Sequence, residues 1–127
     1  MSETKAPSIL VVDDEEVNLQ ILTQILTSQK YRVAKARDGR DALDYLEKNA
    51  ADMVLLDIVM PGPSGLEVLK TIRRTRSLGQ LPVIMLTGKD TEGDVSEAFS
   101  LGANDYITKP IDIAALIARV RTHLCKQ

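Results

Sequence analysis

Met53-Val54-Leu55-Leu56-Asp57, continuing into Ile58-Val59-Met60-Pro61-Gly62-Pro63-Ser64-Gly65, is a short apolar run that ends on a carboxylate and is closed by proline and glycine. Four apolar residues are too few for a helix, so the run reads as a strand buried on both faces, as in a parallel sheet. An aspartate at the carboxyl end of such a strand lies at the crevice where open α/β sheets take their ligands; the plainer reading is a turn cap. The choice depends on whether other strands bring reactive groups to the same edge.

Outward from this strand the chain alternates. Ser8 to Val12 is a second β-branched apolar run, ending in Asp13-Asp14-Glu15-Glu16. Val17, Ile21, Leu22, Ile25 and Leu26 recur at helical spacing, predicting a helix from about Glu16 to Gln29 with Asp14 able to cap it. Tyr31 to Ala36 alternates as a strand, Asp38-Gly39 turns, and Ala42, Leu43 and Leu46 mark a helix over roughly Gly39 to Asn49. On the other side, Ser64 starts a helix with Leu66, Val68, Leu69 and Ile72 on one face, while Arg73, Arg74 and Arg76 read as a solvated face. Leu81 to Thr87 is a fourth strand, followed by Gly88. Asp90 or Thr91 then caps a thinly patterned helix with Val95, Ala98, Phe99 and Leu101, closed by Gly102. Asp105 to Lys109 is a fifth strand stopped by Pro110, and Ile113, Leu116, Ile117, Val120 and Leu124 mark a last helix to about Lys126. The alternation predicts an α/β fold, a doubly wound five-stranded parallel sheet with helices on both faces.

Composition narrows the function classes. A chain of 127 residues with 44% hydrophobic and 27% charged residues is one ordinary globular domain. A net charge of −2 leaves no electrostatic footprint for nucleic acid or an anionic membrane. The lone Cys125 has no internal disulfide partner, and the opening residues lack the apolar core of a signal peptide, so a reducing cytoplasm is expected. Cys125 and the single His123 are too few for a metal site and read as the tail of a helix.

Parallel strands would bring Asp13, Asp14, Asp57, Thr87 and Lys109 to one edge. Three crowded carboxylates repel, so one must take a proton or a cation must lie among them. An open, all-oxygen set suits Mg²⁺, which keeps several waters and bridges to phosphoryl oxygens. Lys109 offers a compact positive charge and Thr87 a hydroxyl donor, both suited to the same oxygens. A carboxylate acting as nucleophile there would form an acyl phosphate. Taken singly, each residue is better explained as a cap, a turn hydroxyl or a surface charge; the set on one edge is not.

At these residues the sequence resembles the receiver domain of bacterial two-component response regulators, over about Ser8 to Leu124. The motifs are the acid pair Asp13-Asp14, Leu56-Asp57 with Met60-Pro61 and Gly65, Thr87-Gly88, and Asp105-Tyr106 through Lys109-Pro110. The resemblance implies the flavodoxin-like strand order 2-1-3-4-5, with residues 1–7 a flexible N-terminus and 8–127 the receiver. It implies that Asp57 is the phosphoacceptor, served by a histidine kinase phosphohistidine, a phosphotransfer protein in a phosphorelay, or a small donor such as acetyl phosphate. Asp13, Asp14, Asp57 and the backbone carbonyl of Val59 would hold Mg²⁺, with Mn²⁺ as a substitute. Thr87, Gly88 and Lys109 would serve the phosphoryl oxygens, and Thr87 and Tyr106 would form the switch. The Lys109-Pro110 peptide is expected to be cis. The output is a shift of the surface formed by the fourth helix, fifth strand and fifth helix, which controls a partner or an attached domain. Such a chain is no conventional enzyme beyond its own phosphorylation and dephosphorylation.

Two departures bear on the lifetime of the modified state. Val59, two after the acceptor, is apolar where many relatives carry a polar residue, and Lys89 lies two after Thr87. A valine orients no attacking water, so a long-lived phosphoryl state is expected. The fourth helix also lacks the complete ion-pair pattern of relatives that dimerise through this surface. The competing readings fit less well. An aspartate-nucleophile phosphatase needs a second Asp where Glu15 stands, and would be modified on Asp13. A flavin module would need a phosphate loop where four acids stand. A binding module that is never phosphorylated would lack part of the set. No effector sequence follows the last helix, which leaves a stand-alone or an excised receiver open; kinase, signal and oligomeric state are not encoded legibly.

Overall fold

The computed structural model describes residues 6–88 and 92–124. Five strands, β1 (Ser8–Val12), β2 (Arg32–Ala36), β3 (Met53–Asp57), β4 (Val83–Thr87) and β5 (Asp105–Thr108), alternate with α1 (Glu16–Ser28), α2 (Gly39–Lys48), α3 (Gly65–Arg73), α4 (Glu92–Leu101) and α5 (Ile113–Leu124). All strand pairs are parallel, and the order is β2-β1-β3-β4-β5. The doubly wound sheet read from the sequence is therefore the fold.

Every residue of β1, β3 and β4 is buried, because helices cover both faces. Leu10, Val12, Val54, Leu56, Val83 and Met85 face α2, α3 and α4. Ile9, Val11, Met53, Leu55, Ile84 and Leu86 face α1 and α5 through Leu19, Leu22, Leu26, Leu116 and Val120. The two-residue alternation thus divides one sheet between two cores.

The helix ends explain several differences from the sequence reading. The N-cap of α1 is Glu15, with no side-chain cap bond, and not Asp14. Asp38 caps α2 through the Asp41 N–H, and Ser64 and Glu67 form a reciprocal capping box at α3. At the end of α1, Lys30 takes a positive φ of 73°, while the Tyr31 N–H closes on the Leu26 carbonyl at 3.1 Å. The anticipated caps Asp90 and Thr91, and also Lys89, Cys125 and Lys126, lie outside the described residues.

Helical spacing overstated the core of α1: Val17 is 66% and Ile21 45% exposed, because the sheet covers a narrower stripe than the apolar positions span. Phe99 on α4 and Ile113 on α5 are likewise exposed. The arginines at the end of α3 depart in the opposite sense. Arg73 is half-buried and hydrogen-bonds several carbonyls, and Arg76 Nη2 donates to the Leu46 carbonyl at 2.9 Å. Only Arg74 is exposed as a solvated face would be. His123 is also more than a helix tail, since its Nε2 lies 3.0 Å from Asp105 Oδ2, with Arg119 Nε 3.4 Å from the other oxygen.

Candidate functional site

The carboxyl edge of the sheet gathers the set that the sequence singled out. β1 ends at Val12, so Asp13 is delivered beside the end of β3, where Asp57 is the last strand residue. Asp13 and Asp57 are buried, Asp14 is exposed, and one carboxylate oxygen from each lies within 4.8 Å of the others. Asp13 Oδ1 accepts the Glu15 N–H at 3.0 Å, which turns the chain from β1 into α1.

Lys109 reaches this group from the end of β5. Its Nζ donates to Asp57 Oδ2 at 3.0 Å and to Asp13 Oδ2 at 3.3 Å. Its backbone N–H bonds the Thr87 carbonyl at 2.7 Å, and the Lys109–Pro110 peptide is cis. Thr87 ends β4 and is buried at 2% exposure. Among the described residues a Cβ at Gly88 would meet nothing within 4 Å, which leaves space next to Thr87.

α3 meets the site from behind. Gly65 N–H bonds the Ile58 carbonyl at 2.8 Å, and a Cβ at Gly65 would overlap the Asp57 carbonyl oxygen. Glycine is thus demanded by close approach of the helix start to the end of β3. Val59 is 68% exposed at the rim, and its backbone N–H bonds the Asp57 carboxylate.

The electrostatics follow from burial. Burial pushes the Asp57 carboxyl up to about 6; the Lys109 hydrogen bond and charge oppose this, and the Asp13 charge adds to it. Burial works against the Lys109 cation, but its bonds and attraction to Asp57 and Asp13 raise its pKa on balance. One ammonium offsets two buried carboxylates and leaves an excess of negative charge. Hard oxygen donors with that excess fit Mg²⁺, and open space suits its retained waters.

Tyr106 lies one strand further out, beside Met85 in register. Its ring is half-buried and meets Phe99 of α4 edge-on, at 6.0 Å between centroids and 84° between planes. Helical spacing shows Phe99 only as part of an apolar stripe and does not reveal this ring contact. The residues named from the sequence therefore fall into two groups: Asp13, Asp14, Asp57, Val59, Thr87, Gly88 and Lys109 around the strand ends, and Tyr106 toward α4.

Comparison with known proteins gives a consistent result. Residues 9–121 match the response regulator receiver domain family. Over 124 residues, 98% of the chain, the sequence is 44% identical to a protein of Vibrio cholerae serotype O1 described as a probable cyclic di-GMP phosphodiesterase. The chain spans 28% of that relative's length. The signal receiver domain of a signal transduction histidine kinase from Syntrophus aciditrophicus superposes with a TM-score of 0.86 at 31% identity, covering 94% of this chain and 90% of that one. The chemotaxis protein CheY4 of Vibrio cholerae gives a TM-score of 0.84 at 29% identity, over 94% and 99% of the two chains.

Proposed function

This chain belongs to the response regulator receiver domain family, a family of phosphorylation-dependent switches in two-component signalling, and on that premise we propose that Asp57 is its phosphoacceptor. The observation that carries the reading is the Asp57 carboxylate, 5% exposed, beside Asp13 and Asp14 and 3.0 Å from Lys109 Nζ. With its pKa near 6, Asp57 is largely ionised at neutral pH and available as a nucleophile. An Asp57 oxygen attacks the phosphorus of a phosphohistidine or acetyl phosphate; the O–P bond forms, the bond to the donor breaks, and imidazole or acetate leaves.

Asp13, Asp14, Asp57 and the Val59 carbonyl would hold Mg²⁺, or Mn²⁺ in its place. When bound, the ion offsets the charge of the incoming phosphoryl oxygens. Lys109 exchanges its bond to Asp57 for one to a phosphoryl oxygen, and Thr87 turns its hydroxyl toward the open space beside Gly88. Movement of Thr87 lets Tyr106 and Phe99 repack, which biases the α4-β5-α5 surface toward its second arrangement. Residues 8–127 form the receiver unit, cytoplasmic, served by a histidine kinase or phosphotransfer protein. Its output is a separate protein or an attached domain, with no direct contact to nucleic acid or membrane.

Beryllofluoride, which mimics a phosphoryl group on aspartate, tests this reading. With Mg²⁺ it is expected to raise the melting temperature by roughly 5 °C or more at a hundredfold excess over its dissociation constant. No rise is expected in Asp57→Asn; an equal rise in both proteins would contradict the assignment. Val59 enters through the reverse step. Because its side chain is exposed at the rim and cannot orient water, Val59→Asn is expected to speed decay of the phosphoryl group severalfold. An unchanged decay rate, followed by mass after donor removal, would take valine out of the explanation.

A further inference from the structure

Arg73, the last residue of α3, carries a hydrogen-bond network that nothing in the phosphoryl site uses. Its Nε donates to the Gly102 carbonyl at 2.8 Å. Nη1 reaches the carbonyls of Arg76 at 3.2 Å, Ser77 at 3.1 Å and Leu81 at 2.8 Å. Nη2 donates to Asn104 Oδ1 at 2.8 Å. Among the described residues these partners are carbonyl and amide oxygens, with no carboxylate. A partly buried guanidinium held by dipoles alone is costly to place, and burial does lower its pKa. The arrangement therefore calls for a reason beyond surface solvation.

The partners supply one. Gly102, with φ of 108°, closes α4; its N–H bonds Phe99 O at 3.1 Å and the Ala103 N–H bonds Ala98 O at 2.9 Å. The last turn of α4 has no basic residue of its own. Arg73 thus places a cation from another helix at the negative end of α4. Asn104 ties the same point to the sheet: its Oδ1 also accepts the Val83 N–H at 2.9 Å, and its N–H bonds the Val83 carbonyl at 2.8 Å. All of this lies at the amino edge of β4 and β5. The other end of α4 follows Thr87 at the opposite, carboxyl edge, where Asp57 lies.

We propose that Arg73 is the fixed pivot of α4. The proposal rests on the phosphoacceptor reading above: phosphorylation of Asp57, acting through Thr87, swings the amino-terminal end of α4, and the Arg73 fork holds the other end on the sheet. A helix of 10 residues is about 15 Å long, so displacement declines along it from Thr87's side to nothing at Gly102. Arg73 is a positioning residue, and its loss converts a swing into a loosening of the whole helix.

Segment-resolved amide hydrogen exchange on the full chain tests this, with and without acetyl phosphate and Mg²⁺, in wild type, Arg73→Met and Arg73→Lys. In wild type, phosphorylation is expected to change exchange severalfold over residues 92–98 and less than twofold over 101–104. In Arg73→Met, exchange at Gly102 and Ala103 rises at least tenfold before any phosphorylation, β1 and β3 stay within twofold, and the phosphorylation response spreads over all of α4. Arg73→Lys, which keeps the charge without the fork, falls between. Equal responses at 92–98 and 101–104 in wild type overturn the proposal, as does a uniform acceleration across the sheet in Arg73→Met. Should Arg73→Met fail to fold, wild type and Arg73→Lys decide. Mass measured on the same samples reports Asp57 modification separately, so failure of the acceptor reading is distinguishable from failure of the pivot.

Discussion

Gly65→Ala is expected to lower the stability of the chain by about 2–3 kcal/mol and its melting temperature by roughly 10 °C. Alanine is ordinarily the better helix former by about 1 kcal/mol, so the sign of this effect is diagnostic. The added Cβ would overlap the Asp57 carbonyl oxygen and lie 2.8 Å from Ile58 Cα. These neighbours are backbone of a fully buried strand, not the tip of a flexible side chain, so α3 must withdraw or β3 must bend. Either movement carries the Asp57 carboxylate away from Asp13, Asp14 and Lys109. Mg²⁺ affinity, measured by titration on the folded fraction, is expected to fall at least tenfold. An unchanged melting temperature and affinity would show that the close approach of α3 does not hold the site.

Asp57→Asn is expected to stabilise the metal-free chain at pH 8 by about 1–3 kcal/mol. Burial raises the Asp57 carboxyl from 3.8 to about 6 in the folded chain. Between these values the folded state binds more protons than the unfolded state, so this group's contribution to stability falls as pH rises through that window. The penalty is essentially complete above about pH 7 and absent below about pH 4. Asparagine does not ionise, so the variant's advantage in thermal melts should grow from pH 4 to pH 7 and then level off. Saturating Mg²⁺ should reverse the order, because the ion restores the wild type and has lost a ligand in the variant. A variant less stable than wild type at pH 8 without metal would mean that the Lys109–Asp57 pair outweighs the cost of burying the carboxylate.

Those two effects depend on strand ends, the part of the molecule that the sequence displayed most openly. Strands such as Met53–Asp57 and Val83–Thr87 are buried on both faces, so their apolar runs are continuous and their last polar residue marks the edge. Parallel pairing then places Asp13, Asp57, Thr87 and Lys109 together without any knowledge of the loops.

What stayed hidden depends on partners distant in sequence. Arg73 reads as a solvated helix residue because its acceptors lie at Leu81, Gly102 and Asn104, on segments brought close only by the finished sheet. His123 and Arg119 meet Asp105 across the gap between α5 and β5 for the same reason. Val17 and Ile21 satisfy helical spacing, yet the width of the covered stripe is set by the sheet beneath and not by α1. The turn at Lys30 has no glycine to announce its positive φ.

The central claim is that Asp57 becomes phosphorylated, and intact mass after incubation with Mg²⁺ and acetyl phosphate, beside Asp57→Asn, tests it most directly. The account predicts a gain of one phosphoryl group in the wild type and none in the variant. A folded wild type that gains nothing from acetyl phosphate or from a phosphohistidine donor, or an equal gain in Asp57→Asn, would contradict it.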